Sequence, residues 1–386
     1  MYITCTERRN VMIKVLNITS DHNIGGAGRC IITFLENYDR EKFDVKVVLP
    51  KDSALIPYIQ ATDTKCIETE GITDTSFSKE AVKNLMKIFK EEKPDLIHAH
   101  ACLAARIAAK LCFIPVVSTR HSVFPNKKSI TRGLGKLVAG TVNNLTSNKI
   151  IAVAQAAKDN LTEIGVKDKK VIVIKNGVKQ LEKYDENQMR QAKDFYGLKD
   201  EFVFAMIARV EAIKGHMYFL EAASLVLKKY QNVKFLICGT GAYLDELKKR
   251  ADELGLNEKV LFTGYIKDVT SVMNVIDVNV NASYGTEATS LSLLEGMSLG
   301  KPIVASCYGG NPELVEEGVN GMLFETKNSA QLAEKMTMLI EDKALYQRLS
   351  EGAIRLYNEK YTARINAQNI ENVYLQTIGG KTNVRK

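Results

Sequence analysis

Long hydrophobic runs are missing from this sequence of 386 residues. No run approaches the roughly 18 consecutive apolar residues that a membrane-spanning helix needs, and residues 1–18 lack the apolar core of a secretory signal peptide. The seven cysteines are dispersed at positions 5, 30, 66, 102, 112, 238 and 307, which argues against a disulfide framework or a zinc cluster. Together these absences predict a cytoplasmic protein.

Acidic residues are also missing from residues 96–158, although the chain as a whole carries a net charge of just +8. A stretch of one sign creates a positive field over one face of a folded domain. The field points to an anionic partner, such as phosphates, acidic sugars or an anionic membrane surface; solvated helix faces are the alternative. Because Phe113 and Phe124 are its only aromatic residues, the stretch does not look like a surface that binds nucleic acid.

Short apolar segments alternate with helical patterns in two series along the chain. The first series predicts strands at residues 12–18, 44–49, 95–99, 115–119, 149–153 and 171–174, with helices such as 27–38 and 79–92 between them. The second predicts strands at 202–208, 233–238, 259–262, 277–281 and 302–305, separated by helices at 215–230, 242–254, 290–300, 328–341 and 344–360. This alternation is typical of parallel sheets that are covered by helices on both faces.

Two such series indicate an α/β protein with two doubly wound, Rossmann-like domains. We expect the first domain at residues 1–180 and the second at 181–361, joined through the polar segment 175–188. The last helix, in residues 362–386, belongs to neither series and is expected to cross back onto the first domain. Ligands of doubly wound sheets bind beyond the carboxyl ends of the strands, so the expected site is a central cleft between the domains.

Glycines and cations follow several of the predicted strands. Gly26 and Gly239 lie in strand-to-helix turns, where backbone N–H groups favour an anion; plain tight turns are the alternative. Arg209 and Lys214 are five residues apart in another such loop, a spacing that suits two cations converging on a diphosphate; two solvated cations are the alternative. A loop at 262–268 has a backbone that could lie along a planar base.

Histidines end two neighbouring predicted strands. His98 and His100 share one face of the first strand, and His121 ends the second. Two histidines on one face could bind a metal ion, but no third ligand is evident, and we expect no metal. His121 precedes a loop and follows Arg120, which favours a functional role for it over a structural one.

Two carboxylates stand eight residues apart near the C-terminal third. Glu287 precedes the predicted helix 290–300, and Glu295 falls on the same side of that helix as Leu291 and Leu294. An unpaired charge on an apolar stripe is costly. The two acids are therefore either a pair of ligand-binding groups, or an acid favoured by the helix dipole followed by one at the rim.

In their order and spacing these motifs resemble glycosyltransferase family 4, the retaining, nucleotide-sugar-dependent enzymes with the two-domain GT-B fold. The matching segments span nearly the whole chain: GGAGR, PDLIHAH, PVVSTRH, VIKNGV, R-x4-KG, the E-x7-E of Glu287 and Glu295, and GKPIVASCYGGNPELV. The resemblance implies a hexosyltransferase that takes a sugar from a UDP or GDP donor. The acceptor it implies is a glycan, a lipid-linked molecule or a small molecule, in cell-surface polysaccharide or glycolipid assembly.

The resemblance also implies roles for the candidate residues. Glu295 binds the ribose hydroxyls, while Glu287 and His121 lie beside the donor sugar. Arg209 and Lys214 hold the diphosphate, so that no metal and no further cofactor is expected. The other donor contacts are made by Gly26, Gly239, Tyr265, Ile266, Thr289, Ser290 and Leu291, with Tyr265 and Ile266 at the base.

Two features depart from the family pattern. Ala288, Thr289 and Ser290 stand where the family often has Gly-Phe-Gly or Gly-Cys-Gly after the first acid, which leaves the shape of the sugar pocket open. Lys179 replaces the acid that is common after NGV. The rival functions are a non-catalytic sugar-binding protein, a nucleotide-sugar epimerase or phosphorylase of similar architecture, and a nicotinamide oxidoreductase.

Residues 124–145 mix cations with apolar side chains in a weakly amphipathic pattern. Such a segment could rest on an anionic bilayer or hold a lipid-linked, phosphate-bearing acceptor, which would place the protein at the inner face of a membrane. The alternative is a solvated loop and helix that frames the cleft.

Overall fold

Two parallel β-sheets form the framework of the computed structural model, which describes residues 12–72, 78–100 and 102–382. The first sheet has the spatial order β3-β2-β1-β4-β5-β6-β7. Its strands are β1 (Ile13–Thr19), β2 (Phe43–Pro50), β3 (Cys66–Thr69), β4 (Leu96–His100), β5 (Val116–Arg120), β6 (Lys149–Ala152) and β7 (Val171–Val173). The helices between them are α1 (Gly26–Asn37), α2 (Ile56–Gln60), α3 (Lys79–Glu92), α4 (Leu103–Leu111), α5 (Lys128–Thr131), α6 (Gly133–Thr146) and α7 (Gln155–Glu163).

The second sheet has the order β10-β9-β8-β11-β12-β13. Its strands are β8 (Phe202–Ile207), β9 (Val233–Cys238), β10 (Val260–Gly264), β11 (Val278–Asn281), β12 (Ile303–Ser306) and β13 (Gly321–Phe324). The helices of this half are α8 (Glu186–Phe195), α9 (His216–Leu227), α10 (Leu244–Glu253), α11 (Thr270–Val275), α12 (Leu291–Ser298), α13 (Asn311–Leu314), α14 (Ser329–Glu341) and α15 (Lys343–Leu356), and the chain continues into α16 (Ala363–Thr382).

Every strand pairing in both sheets is parallel, as the alternation of strands and helices predicts. The central strands β1, β4, β8 and β11 are mostly buried because helices cover both faces of each sheet. The edge strands β3 and β13 were not predicted. Each has four residues, too few for a periodic signal, and each is recognised by its pairing with the neighbouring strand, β2 or β12.

In both sheets the strand order reverses beside the first strand, between β1 and β4 and between β8 and β11. At such a reversal the connections leave to opposite sides and open a crevice at the carboxyl ends of the strands. The connections that follow β1, β5, β8 and β11 lead to Gly26, His121, Lys214 and Glu287, respectively. The fold thus brings candidate residues to these edges.

Helix α16 packs against the first sheet rather than the second. Its Tyr374 is fully buried, and the tyrosine ring contacts Phe34 of α1 and Phe43 of β2 edge-on, at 5.9 and 5.8 Å between centroids. On the same helix Glu371 accepts a hydrogen bond from the backbone N–H of Asp39 at 2.8 Å. The domain boundary at residue 180 itself stays a prediction.

Candidate functional site

Lys214 and Glu287 form a buried ion pair at the carboxyl end of the second sheet. Lys214 Nζ lies 3.0 Å from Glu287 Oε2 and donates a second hydrogen bond to the Thr286 carbonyl oxygen at 3.1 Å. The same carboxylate oxygen accepts hydrogen bonds from Asn281 Nδ2 at 3.1 Å and from Ser283 Oγ at 3.0 Å. Because three donors hold one oxygen, the Glu287 side chain has a defined orientation before any ligand binds.

Two consecutive glycines support the loop that contains Glu287. A Cβ atom on Gly310 would lie 1.5 Å from the Ala288 carbonyl oxygen, and a Cβ atom on Gly309 would lie 2.0 Å from the Glu287 carbonyl oxygen. Gly310 N–H also donates to the Glu287 carbonyl oxygen at 3.1 Å. The backbone of residues 287–288 therefore packs where side chains on residues 309–310 would otherwise be. Both glycines belong to the GKPIVASCYGGNPELV segment, whose sequence does not indicate this role.

Helix α12 begins directly after this loop. Ser290 caps it, since Ser290 Oγ accepts a hydrogen bond from the Leu293 N–H at 3.4 Å. Thr289 precedes the cap and Leu291 is the first helical residue. Residues 289–291 thus form a helix N-terminus, whose N–H groups and dipole favour a negatively charged ligand.

Glu295 occupies the buried side of α12, as its place on the predicted stripe suggests. Its side chain is 13% exposed, and burial raises the pKa of Glu295 to about 7. Arg29 from α1 lies across the cleft, with Nη1 3.7 Å from Glu295 Oε1, and acts in the opposite direction on that pKa. Arg29 was missed as a candidate, although it is the last residue of the GGAGR segment.

Arg209 does not meet Lys214 in this structure. Its side chain is 71% exposed and pairs with Glu211, at 2.9 Å between Nη1 and Oε1. The described contacts therefore do not place the two cations together. The converging pair of cations stays a prediction.

The remaining glycine and base-binding candidates lie in loops around the same edges. Gly26 opens α1, and no heavy atom lies within 4 Å of a Cβ placed on it, so its backbone is accessible. Gly239 packs closely on the loop that precedes Arg209, since a Cβ there would lie 2.0 Å from the Ala208 carbonyl oxygen. Tyr265 is exposed, while Ile266 is partly buried against the second domain.

His98, His100 and His121 cluster beneath the first half of the cleft, with His98 and His100 buried and His121 half-buried. His121 Nε2 lies 2.7 Å from His100 Nδ1, and His98 bonds Tyr374 OH and Thr119 Oγ1, both at 2.6 Å. Burial lowers the pKa of His121 to about 4, so that it is neutral at physiological pH. Among the described residues, His121 Nδ1 has no hydrogen-bond partner. Nδ1 is thus a polar atom that is shielded from solvent and has no bonding partner in this part of the chain.

Contacts between the two halves border the cleft. Thr289 Oγ1 donates to the Val153 carbonyl oxygen at 2.5 Å, and Ala288 packs into a cluster of the first half that includes Val153. Glu313 accepts hydrogen bonds from the N–H groups of Gln155 and Ala156 at 2.9 and 3.1 Å. The unusual Ala288-Thr289 sequence is thus a point of contact between the two halves.

The described part of the chain shows neither a cluster of metal ligands nor a membrane-spanning helix. No group of three or more His, Cys, Asp or Glu side chains there is arranged to hold a metal ion. No helix among the described residues is both long and apolar enough to cross a bilayer.

Family models match both halves of the chain. The model described as Glycosyltransferase Family 4 matches residues 24–180, and the model described as Glycosyl transferases group 1 matches residues 188–356. The UDP-Gal:alpha-D-GlcNAc-diphosphoundecaprenol alpha-1,3-galactosyltransferase of Escherichia coli is 27% identical over 351 residues, which cover 86% of this chain and 89% of that protein. The alpha-monoglucosyldiacylglycerol synthase of Acholeplasma laidlawii is 27% identical over 318 residues, covering 77% and 79%.

Solved structures share the architecture. Anabaena HepE in complex with UDP has a TM-score of 0.83 at 24% identity, covering 94% of this chain and all of that one (100%). A glycosyltransferase from Rickettsia africae has a TM-score of 0.81 at 19% identity, covering 95% and 99%. These similarities confirm the expected GT-B fold.

Proposed function

Because this chain belongs to the group 1 glycosyltransferases of family 4 and is a sugar-transferring enzyme, we propose that it transfers the hexosyl group of a UDP-sugar to an acceptor. The transfer retains the anomeric configuration of the sugar, and UDP is the leaving group. The observation that carries this proposal is the buried pair of Lys214 and Glu287 beside the N-terminus of α12. The choice of UDP is supported by the UDP complex of Anabaena HepE and by the UDP-Gal donor named for the E. coli relative.

In this proposal the donor lies across the carboxyl edge of the second sheet. Glu295 accepts hydrogen bonds from the ribose hydroxyls, and the backbone near Tyr265 and Ile266 holds the base. The diphosphate meets Lys214, Arg209 and the N–H groups of residues 289–291, with the backbones of Gly26 and Gly239 close by. Glu287 and His121 border the sugar.

Departure of the nucleoside diphosphate is the step that these groups would assist. Negative charge grows on the β-phosphate as the bond to the sugar breaks, and preorganised cations and helix-end N–H groups stabilise such charge. Lys214 is already fixed by Glu287 and the Thr286 carbonyl, which means that little reorganisation is needed when the donor binds. We assign no protein nucleophile.

Donor and acceptor assays distinguish this proposal from its rivals. The protein is incubated with UDP- and GDP-sugars, with and without candidate acceptors, and the products are separated by mass and by sugar identity. Transfer that requires an acceptor supports the proposal. A changed donor sugar without any acceptor indicates an epimerase, and binding without turnover indicates a sugar-binding protein.

Activity is expected to persist in excess EDTA. Lys214, Arg209 and the α12 N-terminus would supply the positive charge that a divalent ion provides in other transferases. Initial rates are measured with EDTA, with EDTA followed by excess Mg²⁺ or Mn²⁺, and without either. Complete loss in EDTA that is reversed by one of the ions would contradict this assignment of the charge.

The acceptor is proposed to be lipid-linked, because α6 exposes its apolar side chains. Leu134, Leu137, Val138 and Leu145 recur at helical spacing and are 60 to 79% exposed. The sequence predicted a weakly amphipathic segment; the exposure of its apolar stripe to solvent is evident from the tertiary structure alone. Exposed apolar side chains next to cationic ones are typical of helices that rest on an anionic membrane.

Cations surround this stripe and no acid lies within residues 96–158. Four exposed cations lie in residues 124–145, namely Lys127, Lys128, Arg132 and Lys136. Each cation near an anionic surface contributes about 1 kcal/mol of binding free energy. Diphosphoundecaprenol and diacylglycerol occur in the names of the E. coli and A. laidlawii relatives, which supports an acceptor at a membrane surface.

Wild-type protein is expected to co-sediment with anionic vesicles at low salt, and less so at moderate salt or with neutral vesicles. Leu134→Ser combined with Leu137→Ser should reduce the bound fraction, because the variant removes buried apolar area at the bilayer. Leu225→Ser combined with Leu375→Ser is the matched control, since both leucines are exposed but lie outside α6. Absence of wild-type binding, or equal binding to both vesicles whatever the salt, would favour a soluble acceptor instead.

A further inference from the structure

An ion pair between the two halves of the protein lies next to the proposed ribose ligand. Arg29 is in the first turn of α1, and its Nη1 is 3.7 Å from Oε1 of Glu295 on α12. The arginine side chain is 34% exposed and the glutamate side chain 13%. The pair is therefore open to the cleft on the arginine side and closed to solvent on the glutamate side.

The surroundings of Glu295 oppose its ionisation. Desolvation is the largest cause and raises its pKa to about 7, and Asp268, in the loop between β10 and α11, raises it further. Arg29 is the group that lowers it, and α12 itself contains no other charged residue. Without Arg29, a larger fraction of this carboxyl would be protonated at neutral pH.

We propose that Arg29 is a positioning residue of the donor site, which keeps the Glu295 carboxylate ionised and directed at the ribose hydroxyls. This inference rests on the proposed function, because it takes ribose as the ligand of Glu295. An ionised carboxylate accepts two hydroxyl donors, whereas a protonated one presents an O–H of its own. Hydrogen bonds to the ionised form are also roughly twice as strong. Arg29 acts through Glu295 and reads no part of the nucleotide itself.

The test compares affinities for UDP and for 2′,3′-dideoxy-UDP by calorimetry, from about pH 6 to about pH 9. The two ligands share the base and the diphosphate, so titration of the phosphate cancels in the ratio of their affinities. In wild type we expect UDP to bind about tenfold or more tightly than the dideoxy ligand above neutral pH. The ratio should fall as the pH drops through about 7, where Glu295 takes up a proton.

In Arg29→Gln the pH at which the ratio falls is expected to rise by about one unit or more. At the highest pH the ratio should return to the wild-type value, because Glu295 is then ionised without help. Arg29→Lys keeps the positive charge and should stay close to wild type. Glu295→Gln should remove the pH dependence of the ratio, and adding Arg29→Gln to it should cause no further change in the ratio.

Several results would overturn the inference. The inference fails if the pH at which the affinity ratio falls is the same in Arg29→Gln as in wild type. It also fails if Arg29→Gln weakens the binding of both ligands equally at every pH, which is the result expected of an arginine that is purely structural or that binds phosphate. A wild type that binds UDP without preferring the ribose hydroxyls would overturn the role of Glu295 and with it that of Arg29. If wild type binds neither UDP nor GDP, the proposed function itself is wrong; if it binds GDP, the guanosine ligands replace the uridine ones.

Discussion

Lys214→Ala is expected to lower turnover by about 10²-fold or more, because it removes a cation that is held ready for the diphosphate. Lys214 Nζ is 3.0 Å from Glu287 Oε2, and the side chain is 14% exposed. The variant also leaves the buried Glu287 carboxylate without its counter-charge, and removing one partner of a buried ion pair destabilises the folded protein. Initial rates at saturating donor measure the turnover, and thermal unfolding establishes that the variant folds.

A surface ion pair of the same half is the control for this variant. Lys360 and Glu316 are 2.7 Å apart between Nζ and Oε1, with side chains 47 and 45% exposed. Lys360→Ala should leave turnover unchanged, since exposed pairs contribute little to stability. Arg209→Ala is expected to lower turnover as Lys214→Ala does. If turnover stays near normal in both Lys214→Ala and Arg209→Ala, neither Lys214 nor Arg209 binds the diphosphate.

Gly310→Ala is expected to disrupt the Glu287 loop. The new Cβ would lie 1.5 Å from the Ala288 carbonyl oxygen and 2.7 Å from its carbon, so backbone has to move. Gly310 has an ordinary φ of −88°, which means that the clash is the cause and not the conformation. We expect a loss of about 2 to 3 kcal/mol of unfolding free energy. Because a 1 Å displacement of a reacting group can cost about 10²-fold in rate, turnover should fall as well.

Gly255→Ala is the control for Gly310→Ala, because it introduces backbone strain without a steric clash. Gly255 follows α10 with a φ of +66°, and no heavy atom lies within 4 Å of its Cβ position. The substitution should cost about 1 kcal/mol through backbone strain and leave turnover unchanged. Chemical denaturation and donor-saturated rates are measured for both variants. A Gly310→Ala protein as stable and as active as Gly255→Ala would mean that the loop around Ala288 adjusts without cost.

Much of the fold and several site residues are predictable from the chain alone, because the relevant signals are local. The buried runs that became β1 and β8 alternate with helical patterns, and that alternation requires parallel sheets. The carboxyl ends of such sheets hold the ligand-binding loops, so that His121 and Glu287 were placed at the correct edges from their position after a strand or before a helix. The short edge strand β13 was not predictable, since its pairing with β12 is its main signal.

Arg29 marks the limit of that reasoning. Its pairing with Glu295 requires α1 and α12 to lie next to each other across the cleft, and the sequence of neither helix indicates that they do. The hydrogen bond from Thr289 to Val153 likewise joins residues 136 positions apart. Gly310 reads as an ordinary turn glycine until the Ala288 carbonyl is found against it.

By itself, then, the sequence determined two parallel α/β units, the edges at which their loops meet and the residue types in those loops, since periodicity and turn chemistry act over a few residues. The tertiary structure alone decided which charges pair: Lys214 with Glu287, Arg29 with Glu295, and Arg209 with Glu211. It also decided that the apolar stripe of α6 faces solvent. Desolvation and ion pairing depend on distances of a few ångströms between segments that are far apart along the chain, and these distances are defined when the two halves fold and pack.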